Sequence, residues 1–132
     1  MPIPGFRLGG VVLGTPNPAR LASFYESLLG LVRHDDEPEW VRSGPADGTR
    51  PSLGFQLEET FVAPVWPPQE GRQQMTQHLD IAVSSLAEAV AHAESLGARL
   101  ATRQPQDDVR VMFDPDGHVF CLFEGPIELF ED

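Results

Sequence analysis

The chain repeats itself, and a duplicated half-length unit constrains the fold more than any single motif does. Gly10-Val11-Val12-Leu13-Gly14-Thr15, a polar turn and Ala19 to Gly30 align with His78-Leu79-Asp80-Ile81-Ala82-Val83, another polar turn and Ala87 to Gly97. Glu26-Ser27 falls on Glu94-Ser95, and Leu29-Gly30 falls on Leu96-Gly97 after a one-residue gap. Further on, Phe55-Gln56-Leu57-Glu58-Glu59 aligns with Phe120-Cys121-Leu122-Phe123-Glu124. The expected organisation is one domain of two modules, residues 6–60 and 76–124, with a Pro-rich connection at 61–75 and an acidic tail at 125–132. At 132 residues such a chain buries about two-thirds of its unfolded surface, enough for a core but not for several large domains.

Each module opens on an alternating strand, Val11-Leu13-Thr15 or Leu79-Ile81-Val83, which places one face on a core. A helix follows in both. Asn17 is the expected N-cap of the first, with Pro18 at its first position, Leu21, Phe24, Tyr25 and Leu28 as its apolar stripe and Gly30 at its end. Ser85-Leu86-Ala87-Glu88 is a capping box for the second, with Leu86, Ala89, Val90, Ala93 and Leu96 as the stripe and Gly97 closing it. Extended segments are expected at Leu31–His34, Trp40–Arg42 and Leu53–Glu58, then at Arg99–Arg103, Val109–Phe113 and Val119–Phe123. Asp114-Pro115-Asp116-Gly117 is a tight turn rather than a calcium loop, because the other ligands of such a loop are missing. The pattern is β-α-β-β-β, twice.

Charge narrows the partners. Nine basic against 20 acidic residues give a net charge of −11, the wrong sign for a phosphate backbone or an anionic membrane. The same field serves solubility and would also concentrate cationic small molecules. One cysteine, Cys121, cannot form an internal disulfide, and Met1-Pro2-Ile3-Pro4-Gly5 has no leader character, so a reducing cytoplasm is the expected setting. No Ser-His-Asp spacing, phosphate loop or Cys-x-x-Cys pair is present.

The stretches Phe24-Tyr25-Glu26-Ser27-Leu28-Leu29-Gly30-Leu31, Gln77-His78-Leu79-Asp80-Ile81-Ala82-Val83, Ala93-Glu94-Ser95-Leu96-Gly97-Ala98 and Asp114-Pro115-Asp116-Gly117-His118-Val119-Phe120-Cys121-Leu122, in this duplicated order, resemble the vicinal oxygen chelate superfamily. That superfamily includes glyoxalase I, bleomycin-resistance proteins and extradiol dioxygenases. The surroundings of Trp66, His78-Leu79-Asp80 and Phe120-Cys121 are most similar to small glyoxalase-like bacterial proteins. The resemblance implies an α+β fold whose modules curl their mixed sheets into half-barrels that enclose a pocket, and a homodimer with pockets built within one chain or across two.

In metal-using members a divalent ion is held by side chains of the first and last strands of both modules, with positions left open for substrate. The resemblance places those slots at Gly10, Gln56, His78 and Cys121. A triad with carboxylate is missing, so a vacated metal site is expected, with His78, Gln56 and Cys121 as the candidate ligands should a divalent metal such as zinc bind.

His78 is a candidate ligand, acid/base or pocket hydrogen-bonding residue, or a structural histidine; Asp80 shares its face by strand parity and would orient it or meet a cation. Cys121 is read chiefly as packing, since no cation or helix N-terminus accompanies it in sequence. His118 is read as a turn residue, and His34 and His92 as solvated. Trp40, Phe55 and Trp66 are candidate aromatic walls. The leading expectation is a small-molecule-binding protein of the glyoxalase and bleomycin-resistance type, using His78, Asp80, Gln56, Trp66 and Cys121. The alternatives are a lyase, isomerase or dioxygenase, with His78 a candidate catalytic group, and a non-catalytic partner subunit.

Overall fold

Two capped helices, each lying between the first and second strands of its module in sequence, organise the chain. The structure, a computed structural model, describes residues 1 and 3–130. Pro2, Glu131 and Asp132 lie outside the described residues, and with them the last two acids of the expected tail. The chain forms two compact units, the first Met1–Phe61 and the second beginning at Val62.

In the first unit β1 (Gly10–Thr15), α1 (Pro18–Leu29), β2 (Val32–Glu37), β3 (Trp40–Gly44) and β4 (Ser52–Leu57) follow in order. The four strands make an open sheet ordered β1-β4-β3-β2, with β1 and β4 parallel and the other pairs antiparallel. Asn17 caps α1 by accepting a hydrogen bond from the Arg20 amide at 3.1 Å, Pro18 occupies the first turn, and Gly30 ends the helix at φ 71°, a left-handed geometry that glycine adopts without a Cβ penalty. The stripe turns inward: Leu21 and Tyr25 are fully buried, and the Tyr25 ring stacks on Phe55 of β4 at 5.9 Å. Each such burial contributes about 1.5–3 kcal/mol.

The second unit repeats the order with β5 (Leu79–Val83), α2 (Leu86–Ser95), β6 (Arg99–Leu100), β7 (Val109–Phe113) and β8 (Val119–Glu124), closing on a 3₁₀ turn at Ile127–Phe130. Its open sheet is ordered β5-β8-β7-β6, again with the first and last strands parallel. The molecule is thus α+β, built from two β-α-β-β-β modules. Ser85 caps α2 through the Glu88 amide. Strand β8 is buried on both faces, with Phe120 and Leu122 on one and Val119 and Cys121 on the other, which its unbroken apolar run anticipates.

Several boundaries differ from expectation. Strand β2 runs to Glu37 instead of His34, and β3 to Gly44 instead of Arg42. The expected strand at 99–103 forms its ladder only at Arg99 and Leu100. Beyond them one backbone bond, from Ala101 N to Val111 O at 2.9 Å, is joined by a side chain: the Gln104 amide donates to the carbonyls of Ala101 and Val111 and accepts from the Val111 N–H, all at 2.9 Å.

The register of the last strands corrects the internal alignment. In the first unit Leu13 pairs with Phe55 and Thr15 with Leu57; in the second Ile81 pairs with Leu122 and Val83 with Glu124. Thr15 and Val83 each stand two residues before a helix cap, so they are equivalent, and Leu57 is equivalent to Glu124. The bonds from Glu58 N to Thr15 O and from Gly125 N to Val83 O agree. The counterpart of Cys121 is therefore Gly54, not Gln56, and Gln56 corresponds to Phe123.

Candidate functional site

His78 immediately precedes β5, and Asp80 lies within it. Strand alternation puts both side chains on one face, and His78 Nε2 stands 3.1 Å from Asp80 Oδ1. The parallel register sets Asp80 directly beside Cys121 of β8. One atom each of His78, Asp80 and Cys121 lies within 4.8 Å of the others. Asp80 thereby joins the two residues that the resemblance placed in metal slots, and this adjacency follows from register, which the sequence does not display.

The three residues border a groove of about 610 Å³ in the second unit, within the roughly 300–1,000 Å³ usual for small-molecule sites. Four carboxylates line it, those of Asp80, Asp107, Asp108 and Glu124, and no arginine does. Leu86, Val109 and Phe123 supply an apolar part. Asp107 and Asp108 sit in the turn before β7, and Glu124 ends β8. The sequence offers no reason to join Glu124 or the Asp107-Asp108 pair to the site, since the only signal of that pair is two adjacent acids before an apolar strand.

Cys121 is buried among Ala101, Val111, Phe113 and Val119, with Trp66 packed against the same cluster. Burial, and then the Asp80 carboxylate, push its thiol above the ordinary value of 9.0. It is a protonated core thiol at neutral pH rather than an activated nucleophile. A metal ion would have to displace that proton.

The mixed nitrogen, oxygen and sulfur donor set suits a borderline-soft ion such as zinc better than Mg²⁺ or Mn²⁺. Zinc bonds of about 2.0–2.3 Å put ligand atoms roughly 3.5 Å apart, so small side-chain rotations would close the observed cluster around an ion. The residues fit such an ion.

The other expected site residues lie elsewhere. Gln56 borders a groove of the first unit with Glu39, Trp40 and Glu58, and its amide donates to Glu58 at 3.4 Å. Among the second unit's grooves, Trp66 lines one with Arg99, Arg103 and Phe113, away from His78. At the first unit's counterparts of His78, Asp80 and Cys121 stand Gly10, Val12 and Gly54, which offer no ligand atom. A Cβ on Gly10 would meet the Ser52 carbonyl oxygen at 2.5 Å, and one on Gly54 would meet the Trp40 ring at 2.3 Å. Phe55 is fully buried against Tyr25.

His118 is a turn residue: its Nδ1 contacts the buried Asp114 carboxylate at 2.8 Å, and Asp114 also accepts from the amides of Asp116 and His118. His92 is exposed in the last turn of α2. His34, expected to be solvated, is half-buried, with Nε2 2.8 Å from the Pro45 carbonyl oxygen. The acids beside it are engaged instead, Asp35 with Arg42 and Asp36 with Arg33.

A family model described as a glyoxalase-like domain matches residues 10–123. No curated protein matches the chain. Among solved structures, a glyoxalase/bleomycin resistance protein/dioxygenase family enzyme from Burkholderia phytofirmans PsJN is similar at TM-score 0.68 and 16% identity, covering 89% of this chain and 97% of that one. A possible glyoxalase from Bacillus cereus is similar at 0.64 and 12%, covering 90% and 99%. The fosfomycin resistance protein FosX from Listeria monocytogenes, in a mutant complexed with Mn(II) and 1S,2S-dihydroxypropylphosphonic acid, is similar at 0.62 and 14%, covering 96% and 94%.

Proposed function

Since the chain belongs to the glyoxalase-like domain family, we propose that it is a small-molecule-binding protein whose acidic groove in the second unit takes a cationic group carried on an apolar body. The observation that carries this reading is the lining, four carboxylates and His78 beside Leu86, Val109 and Phe123, with no arginine among them. The overall charge of −11 would steer such a ligand towards the protein. Asp80 is the central anionic contact, and His78, at 3.1 Å, orients its carboxylate. Thermal unfolding with a panel of cationic aromatic natural products tests it. A ligand at a hundred times its Kd stabilises by about 2.7 kcal/mol, and Asp80→Asn with Asp108→Asn should abolish that shift. A panel that never shifts the wild type rejects the reading.

The His78, Asp80 and Cys121 cluster favours a second reading, a metal-dependent lyase, isomerase or dioxygenase of the same superfamily. His78, Asp80 and Cys121 would hold the ion, which would polarise an oxygen-bearing substrate as a Lewis acid. The chain's own contribution is to present the three donors on one sheet face and to give up the Cys121 proton. Metal content of wild type and His78→Ala, after exposure to Zn²⁺, Ni²⁺, Mn²⁺ or Fe²⁺ and dialysis, separates the readings. Stoichiometric zinc lost in His78→Ala supports the second; no retained metal in either protein rejects it.

A further inference from the structure

At the other end of β7 from the acidic groove, the second unit carries a groove of opposite charge. It measures about 630 Å³, and Trp66, Phe113, Arg99 and Arg103 line it, with no carboxylate in its walls among the described residues. All nine basic residues are arginines. Arg33 pairs with Glu26 and Asp36, and Arg42 with Asp35. Arg7, Arg50, Arg72 and Arg110 share with Arg99 and Arg103 the lack of an ion pair among the described residues; what sets Arg99 and Arg103 apart is that they line one groove together with an aromatic wall.

The Arg99 guanidinium sits 4.7 Å from the centroid of the Phe113 ring. Stacking on a ring engages the face of a guanidinium and leaves its in-plane N–H donors for an acceptor such as a carboxylate. Phe113 is itself buried, so the ring is a fixed platform, and Trp66 is held against the same core cluster. A planned polar edge and a flat apolar wall thus meet in one groove.

We infer that this groove is a binding site for a small planar anion, an aromatic carboxylate, with Arg99 and Arg103 meeting the carboxylate and Trp66 covering the ring. The site shares no lining residue with the acidic groove and stands whether or not that groove takes a cation. Charge-assisted pairing with a fork-shaped guanidinium selects the anion, and the aromatic wall selects flatness.

The test uses the full chain and the indole N–H signals of its two tryptophans, assigned with Trp40→Phe, in titrations with sodium benzoate, benzamide and inorganic phosphate. Benzoate should move the Trp66 signal saturably, with benzamide and phosphate binding at least about tenfold more weakly, a difference of about 1.4 kcal/mol. Arg103→Gln should raise the benzoate Kd about tenfold, and adding Arg99→Gln should abolish saturation. Arg99→Gln also removes the ring contact, so Arg103→Gln, which breaks no ion pair, is the decisive variant. A Trp66 signal unmoved by benzoate, equal binding of benzamide or phosphate, or an unchanged Kd in Arg103→Gln would each overturn the site.

Discussion

Glu26 and Glu94 occupy equivalent places near the ends of the two helices, yet their surroundings differ. Glu26 of α1 accepts from Arg33 Nε at 2.9 Å and from the Ser43 hydroxyl at 2.6 Å, tying helix to β2 and β3. Burial opposes its charge, but the hydrogen bonds from Arg33 and Ser43 and the Arg33 charge outweigh it, and the carboxyl is held below its ordinary value of 4.5. Glu94 of α2 is exposed and has no ion pair among the described residues. The positions of the clustered side chains diverge the other way: the second module carries His78, Asp80 and Cys121 where the first has Gly10, Val12 and Gly54. The strand order is the same in both, while at these two sets of positions the first module holds an internal tie where the second exposes an acid, and the second holds a polar cluster where the first offers no ligand atom.

The ion-pair network gives the largest expected contrast. Glu26→Ala leaves the Ser43 hydroxyl without its acceptor and takes from Arg33 its carboxylate partner in a partly buried place, Asp36 and the Ala19 carbonyl remaining, and should cost about 2–3 kcal/mol in chemical denaturation. Glu94→Ala, at an exposed position, should stay within about 0.5 kcal/mol. Equal costs would break the contrast. A carboxyl held low in the folded chain contributes stability that is fully present above its unfolded value and is lost as pH falls through the lower folded one. Stability of the wild type should therefore drop below about pH 4.5, and Glu26→Gln should flatten that part of the curve.

The glycines give a smaller effect. Trp40 lies across Gly54, an aromatic ring covering a strand glycine on the neighbouring strand. Gly54→Cys installs the second module's residue and drives its Cβ into that ring, so Trp40 must move. The expected cost is about 1–3 kcal/mol, with a change in Trp40 fluorescence. An unperturbed Trp40 would show that the first module tolerates the second module's side chain, and that packing does not enforce the glycine.

The helices, their caps and the repeated strand order were legible because each carries a local signal: Asn17-Pro18, Ser85 with Glu88, the two closing glycines and stripes at helical spacing. The two-residue error in the last strand has an equally physical cause. Phe55-Gln56-Leu57 and Phe120-Cys121-Leu122 share a Phe-x-Leu alternation, and sliding one by two keeps every side chain on its expected face. Only the ladder, with Leu13 on Phe55 and Ile81 on Leu122, removes the ambiguity. The same non-local information brings Asp80 beside Cys121 and sends Trp66 to a groove with Arg99 and Arg103. Parity alone put Asp80 with His78, and that much a sequence can supply.

The caps provide the finest comparison, since both modules solve the same problem with different residues. Asn17 accepts from the Arg20 amide at 3.1 Å, its own amide donates to the hydroxyl of the buried Thr15 at 3.0 Å, and Pro18 pre-sets the first turn. Ser85 accepts from the Glu88 amide over a longer 3.4 Å, and Glu88 adds a negative charge at the positive end of the helix. Asn17→Ala should therefore cost about 1 kcal/mol and Ser85→Ala about half that, because the longer bond contributes less and Glu88 stays in place to stabilise the exposed amides. The double substitution Ser85→Ala with Glu88→Ala should bring the second helix to the cost of Asn17→Ala. If Ser85→Ala alone already costs as much, the Glu88 charge contributes nothing to the helix start and the two modules cap their helices in the same way.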